Sequence, residues 1–288
     1  MEPAAPANEE AIEAWNTVLF DKFMRFRPLV TSGLGRHGDA VLRLHPPPEG
    51  ARVLDIGCGF GDTTFQIAKL VGPKGSAVGI DGAPRFVEEG RRQAAAESID
   101  NVRFVVGDVQ TARFDQPFDY AFARFGTMFF ASAVAALRNV RRALVPGAKL
   151  AMVVWRSKSA NEWLHRAEQV VAELVPENHD SDLPTCGPGP FSMASADVTS
   201  DVLIAAGYRD VAFARSDAEI CIGRDLEEAL EFAMALGPAG EIIRLAGEEG
   251  QRRLPAVREA LSAVLGQFER DGQIWAPSST WVVSATAP

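Results

Sequence analysis

Cysteine is scarce in this chain: three in 288 residues, at Cys58, Cys186 and Cys221. An odd, widely spaced set builds neither a disulfide framework nor a metal-ligand cluster, so no metal is expected and a reducing cytoplasm is the expected setting. Histidine is also sparse. His37, His45, His165 and His179 are scattered, and none sits in a pattern that marks it as a base; His165 falls off the apolar stripe of its helix and reads as solvated. Long apolar runs are missing, since no stretch reaches the roughly 18 residues that span a bilayer. The start, "MEPAAPANEEAIEA", is acidic and rich in Ala and Pro rather than positive and then apolar, so no secretory signal is expected. Positive charge is in deficit as well: Lys plus Arg is 29 against 38 Asp plus Glu, a net charge of −9. That balance argues against a general grip on nucleic acid or anionic membrane.

What remains is an ordinary globular composition, 47% hydrophobic and 23% charged. Residues 1 to about 9 read as a disordered tail. From Glu10 onward Ile12, Trp15, Leu19, Phe23 and Phe26 recur at steps of three or four, a helical stripe that fits either a lid or ordinary packing. The prolines of "HPPPEG" (45–50) break that helix. Strands and helices then alternate: strands at 52–57, 76–81, 102–108, 118–125 and 149–155, the last introduced by a Pro146–Gly147 turn, with helices between them. A helix over 161–174, a Pro/Gly loop over 176–190, a helix over 196–206 and a strand over 208–216 follow. Residues 225–271 read as two or three helices broken at "GPAG" (237–240) and at Pro255, and a β-branched run at 279–287 closes the sheet.

The expected architecture is α/β: a Rossmann-like, mostly parallel seven-stranded sheet with helices on both faces. The expected layout has an N-terminal helical segment over 1–48, a nucleotide-binding core over 49–217, a helical insertion over 218–276 that caps a substrate or makes a dimer contact, and the last strand over 277–288.

The chemistry centres on "RVLDIGCGFGDTT" (52–64). Gly57, Gly59 and Gly61 let the backbone turn sharply where a strand ends, and the following helix offers free N–H groups to an anion. Asp81 ends the next strand, placed to accept ribose hydroxyls, and Asp108 ends the third along the same edge. Two nucleotide classes compete. A dinucleotide fold wants G-x-G-x-x-G, yet the third glycine here comes one residue early. Asp55 would also repel a pyrophosphate, whereas beside an ammonium or sulfonium it is tolerated.

Taken together these motifs resemble class I S-adenosylmethionine-dependent methyltransferases. "VLDIGCGFG" looks like their first motif, "VGIDGA" (78–83) their ribose-binding strand end and "VVGDV" (105–109) their acidic adenine-side motif. "ALVPGAKLAMVVW" (143–155) resembles their turn and fifth strand. "FARFGTMFF" (122–130) is similar to the bacterial small-molecule subgroup related to the ubiquinone and menaquinone C-methyltransferases. The resemblance implies S-adenosylmethionine as cofactor, leaving as S-adenosylhomocysteine. It implies that Asp55, Gly57, Cys58, Gly59 and Gly61 hold the methionine portion, Asp81 the ribose, Gly82 and Ala83 the adenine face, and Asp108 and Val109 its edge. Arg124 would stand near the methionine end, or pair with an acid instead.

Methyl transfer from a sulfonium is chiefly a positioning problem, so no catalytic residue needs to be visible, and none is. The acceptor is expected to be small and partly hydrophobic or aromatic, walled by Trp15, Phe125, Met128, Phe129, Trp155 and Trp163. The expected partners are that acceptor and a candidate second copy of the chain, with no nucleic acid and no membrane. Two other readings stay open at this point: a dinucleotide-dependent oxidoreductase, and a non-catalytic cofactor-binding scaffold.

Overall fold

The computed structural model describes residues 8–175 and 188–288. Cys186, His179, most of the expected 176–190 loop and nearly all of the expected disordered tail lie outside the described residues. The chain opens with four helices that follow one another closely, α1 (Glu9–Ala14), α2 (Phe20–Arg25), α3 (Arg27–Leu29) and α4 (Gly35–Leu44), linked by π-helical turns at Trp15–Leu19 and Val30–Leu34. Then come β1 (Arg52–Ile56), α5 (Asp62–Val71), β2 (Ser76–Asp81), α6 (Pro84–Ala96), β3 (Val102–Val106), β4 (Phe118–Arg124), α7 (Ala133–Arg142) and β5 (Leu144–Trp155). The second half adds α8 (Glu162–Leu174), α9 (Ala196–Ala206), β6 (Arg209–Gly223), α10 (Leu226–Leu236), α11 (Pro238–Leu245), α12 (Gly247–Leu265), β7 (Glu269–Arg270) and β8 (Gln273–Thr286).

Local chemistry sets most boundaries. Pro84 opens α6, where its missing N–H costs nothing. The Ser195 and Asp225 side chains accept from Val198 and Glu228 N–H at the starts of α9 and α10. At its far end α9 stops at left-handed Gly207.

Among the described residues all the strands join one sheet, ordered β3-β2-β1-β4-β5-β8-β6 with β7 paired to β8. The first five strands pair in parallel, while β8 runs antiparallel to both β5 and β6. The sheet therefore has eight strands, not the expected seven. The extra one, β7, folds back on β8 through Asp271–Gly272, whose φ angles of 54° and 78° suit the tight two-residue hairpin turn that Asp-Gly favours. The last two long strands also exceed expectation, β6 running on to Gly223 and β8 starting at Gln273, so their far ends form a ribbon beyond the parallel sheet. Two expected breaks are absorbed. Pro146–Gly147 lies within β5 as an irregularity, with the Gly147 N–H bonded to the Ala287 carbonyl at 2.8 Å, and Pro255 sits inside α12.

Alternating side chains divide the core. Leu54, Ile56, Val78, Ile80, Leu150 and Met152 pack on one face of the sheet, and Val53, Tyr120, Phe122, Ala151 and Val153 on the other. A third cluster fills the space between the β6–β8 ribbon and helices α8 and α10–α12, around Ile220, Ile222, Ile274, Trp163 and Phe232. Among the described residues no helix is long and apolar enough to cross a membrane.

Candidate active site

The carboxyl ends of β1, β2, β3 and β4 border a cavity of about 810 Å³. Gly57 and Gly61 show why the first loop needs glycine. Both have positive φ, 64° and 88°, and a Cβ on Gly57 would lie 3.0 Å from Gly126 Cα, while one on Gly61 would lie 2.5 Å from the Phe104 ring. A side chain at either position would collide with neighbouring protein, so glycine lets the loop pack tightly while Gly57 and Gly59 present backbone as a cradle along one wall of the cavity.

Asp81 locks that cradle. Its two carboxylate oxygens accept from Gly59 N–H at 3.0 Å and Ala83 N–H at 2.9 Å. Burial pushes the carboxyl above its ordinary value, opposed by those two N–H groups. Each oxygen keeps a second lone pair, so further donors can still be received. Asp108 is engaged across the chain. Its Oδ1 accepts from Gln110 N–H at 2.8 Å and from Asn8 Nδ2 at 3.0 Å, while Asn8 Oδ1 accepts from Ala131 N–H at 2.7 Å. The Asn8 carboxamide therefore bridges the two loops that follow β3 and β4.

Of the expected site residues, Gly57, Cys58, Gly59, Asp81, Gly82, Ala83, Asp108, Val109 and Arg124 line this cavity, together with Trp15, Phe125, Met128, Phe129, Trp155 and Trp163. Asp55 and Gly61 do not. The two-residue period of β1 turns Asp55 toward α5, where it is buried and accepts from Thr64 Oγ1 at 2.6 Å. Burial pushes it up to about 7 against that hydrogen bond and the Arg124 charge. Asp62 does not cap α5 with its side chain; it forms an ion pair with Arg124. Cys58 is buried, and burial with the nearby Asp81 and Asp55 pushes its thiol well upward, so the helix N-terminus does not make it a thiolate. The expected solvated His165 has a buried Nδ1 without a partner.

The N-terminal stripe and the expected aromatic walls meet here, with further contributors that the sequence did not mark. Ile12, Trp15, Leu19 and Phe23 of the N-terminal stripe line the cavity, and Ile12 packs on Gly82 so closely that a Cβ there would lie 2.8 Å away. The two π-helical turns supply Trp15, Leu19, Val30 and Leu34 to the wall, in keeping with the concentration of such turns at functional sites. Phe125, at φ 59°, stacks on Trp155 at 4.6 Å. Behind both stands His37, fully buried, bonded to Ser278 Oγ at 2.7 Å and Thr280 Oγ1 at 3.1 Å. Opposite them α10 and α11 contribute Phe232, Leu236, Pro238 and Ile242. One end of the cavity is thus a glycine and carboxylate cradle, and the other an aromatic and aliphatic chamber.

That division, a cradle at the strand ends beside an apolar chamber, is the layout of a nucleotide-cofactor site with a second ligand chamber in a parallel α/β fold. A family profile described as a methyltransferase domain matches residues 48–197. The chain belongs to the methyltransferase-domain family, among the class I S-adenosylmethionine-dependent enzymes that methylate small molecules. It is 36% identical over 172 residues to the aklanonic acid methyltransferase DauC of Streptomyces sp. (strain C5), covering 48% of this chain and 78% of that one. It is 38% identical over 100 residues to the demethylmenaquinone methyltransferase of Staphylococcus aureus (strain JH9), covering 34% of this chain and 41% of that one. In fold it is similar to phosphoethanolamine N-methyltransferase 2 of Haemonchus contortus, solved with S-adenosyl-L-methionine: TM-score 0.56, 17% identity, 96% of this chain and 60% of that one. The YcgJ protein of Bacillus subtilis shares the fold at TM-score 0.52 and 17% identity, over 88% of this chain and 97% of that one. The dinucleotide oxidoreductase reading finds no support among these relatives.

Proposed function

We propose that the cradle end takes S-adenosylmethionine with Asp81 on the ribose hydroxyls, Asp108 and Val109 at the adenine edge, Gly82 and Ala83 on its face, and Gly57, Gly59 and Arg124 toward the methionine portion. When bound, the cofactor supplies a methyl group already activated on a sulfonium. The protein's work is then to orient the acceptor and exclude water. The chamber of Phe125, Met128, Phe129, Trp155, Trp163 and Phe232 suits a flat, multi-ring acceptor of the aromatic polyketide or quinone kind, and α10–α11 act as its cap. Among the described residues no histidine lines the cavity while Glu168 and Glu241 do, so suitable acceptors are those whose nucleophile ionises by itself, a carboxylate, a phenolate or an enolate, or loses its proton to a carboxylate.

The single observation that carries this reading is Asp81 at the end of β2, fixed by Gly59 and Ala83 N–H at the mouth of the cradle. Calorimetric titration with S-adenosylmethionine tests it. Asp81→Ala is expected to weaken binding at least about 100-fold, because two hydroxyls lose a charged hydrogen-bond acceptor. Equal affinity in the variant would remove Asp81 from the site.

A further inference from the structure

The aromatic chamber carries a few polar groups, and most are spent on the protein itself. Both Glu241 carboxylate oxygens accept from Arg244, at 2.8 and 2.6 Å, and the Ser192 hydroxyl donates to the Met128 carbonyl at 2.7 Å. Arg124 is paired with Asp62 at the start of α5. Lys158 and Glu168 differ. Both line the cavity, with side chains 40% and 23% exposed, and one contact joins them, Nζ donating to Oε1 at 2.5 Å. Two ammonium hydrogens and the second carboxylate oxygen remain for a ligand.

Their place follows from the chain. Lys158 comes shortly after Trp155, past the carboxyl end of β5, on the edge where ligands of open α/β sheets sit. Its ammonium lies 5.7 Å from the ring centroid of Phe191, another wall residue. Glu168 falls one turn after Leu164 on α8, so both reach the cavity from one helix face. The carboxylate thus holds a long, rotatable side chain at the aromatic end of the cavity. A flat ligand that displaces water from that end leaves the ammonium short of partners unless it brings an oxygen of its own.

We propose that Lys158 selects the methyl acceptor: its ammonium donates to an anionic oxygen of the ligand, a carboxylate or an ionised phenol, while Glu168 orients it. The assignment rests on the chamber being the acceptor site. An ammonium beside an ionisable oxygen favours the charged form, so a phenol bound there gives up its proton more readily than it would without Lys158.

Matched probes test it: 2-hydroxyanthraquinone and its methyl ether share the ring system, and only the first can ionise. Both are bound to protein saturated with S-adenosylhomocysteine, and the absorbance of the bound phenol is followed against pH. The wild type is expected to favour the ionised probe over the ether about tenfold. In Lys158→Met that preference is expected to vanish and the ionisation midpoint of the bound probe to rise by about one pH unit, with Lys158→Arg restoring both. Glu168→Gln is expected to keep the preference, since the ammonium stays. Lys22 of α2 is the other lysine on the wall, so Lys22→Met serves as the comparison. A midpoint unchanged in Lys158→Met, or a rise seen in Lys22→Met instead, overturns the role of Lys158 and leaves the chamber assignment standing; Lys158→Gln gives the same reading should the methionine variant not fold. If neither probe binds while S-adenosylhomocysteine does, the chamber assignment falls and takes Lys158 with it.

Discussion

Asp55 and His37 sit behind the cavity wall and act on stability with opposite signs. Burial holds the Asp55 carboxyl up at about 7, against an ordinary 3.8. Between those values the unfolded chain has released a proton that the fold retains, so stability falls as pH rises through this window and is level above it. The whole span amounts to roughly 4 kcal/mol. His37 is lowered from 6.5 to about 4 by burial, so below 6.5 the unfolded chain takes up a proton that the fold refuses, and stability is lost as pH falls. The two slopes oppose each other from about 4 to 6.5 and leave Asp55 alone between 6.5 and 7. Asp55→Asn separates them, because the amide oxygen still accepts from Thr64. Urea unfolding is expected to show the variant gaining on the wild type by a few kcal/mol between pH 4.5 and pH 8. Parallel curves would mean that Asp55 is ionised in the fold. None of this was legible beforehand: Asp55 belongs to the glycine motif, but only the alternation of β1 decides that it faces α5.

At the scale of elements, the strands of the parallel sheet were readable because each is a short apolar run between turn signals, and a strand buried on both faces has no other composition open to it. The misses have equally local causes. Asp271–Gly272 is a hairpin signal lying among helices, and β7 is too short to show periodicity. Pro255 was expected to end a helix, yet α12 continues through it, because Val257, Leu261, Val264 and Leu265 bury its inner face and outweigh one lost backbone bond. That bond can be restored. Pro255 is exposed, so Pro255→Ala returns an N–H to the Gln251 carbonyl without touching the core. It is expected to raise stability by about 1–3 kcal/mol, seen as a higher melting temperature with acceptor-site binding unaltered. A lower melting temperature would show that the proline ring itself carries packing or turn energy there.

Across the whole molecule, distant parts of the chain close round one cavity: the N-terminal helices, the carboxyl edge of the sheet, and helices α10 and α11. The acids at the strand ends were visible in the sequence because each motif is local. Asn8, His37 and the wall residues of α10 and α11 were not, because their partners lie far along the chain and only the fold brings them together. Asn8 shows what that closure does. Its carboxamide holds Asp108 Oδ1 and the Ala131 N–H, and Asp108 is the group proposed for the adenine edge, so Asn8 sits on one oxygen of that carboxylate and leaves the other to further donors. The first helix is fastened over the cradle at that point by Asn8, by Ile12 against Gly82 and by Asn16 Oδ1 accepting from Arg85 N–H at 3.0 Å. A cofactor that enters past this helix would have to open the fastening, and its entry rate would be reduced by the fraction of time the fastening is shut. Asn8→Ala removes both bonds at the cradle while leaving the sheet intact. Stopped-flow binding of S-adenosylmethionine is expected to show a several-fold faster association rate in the variant. A slower association, or an unchanged rate with faster release, would instead make Asn8 a clasp that closes on the bound cofactor.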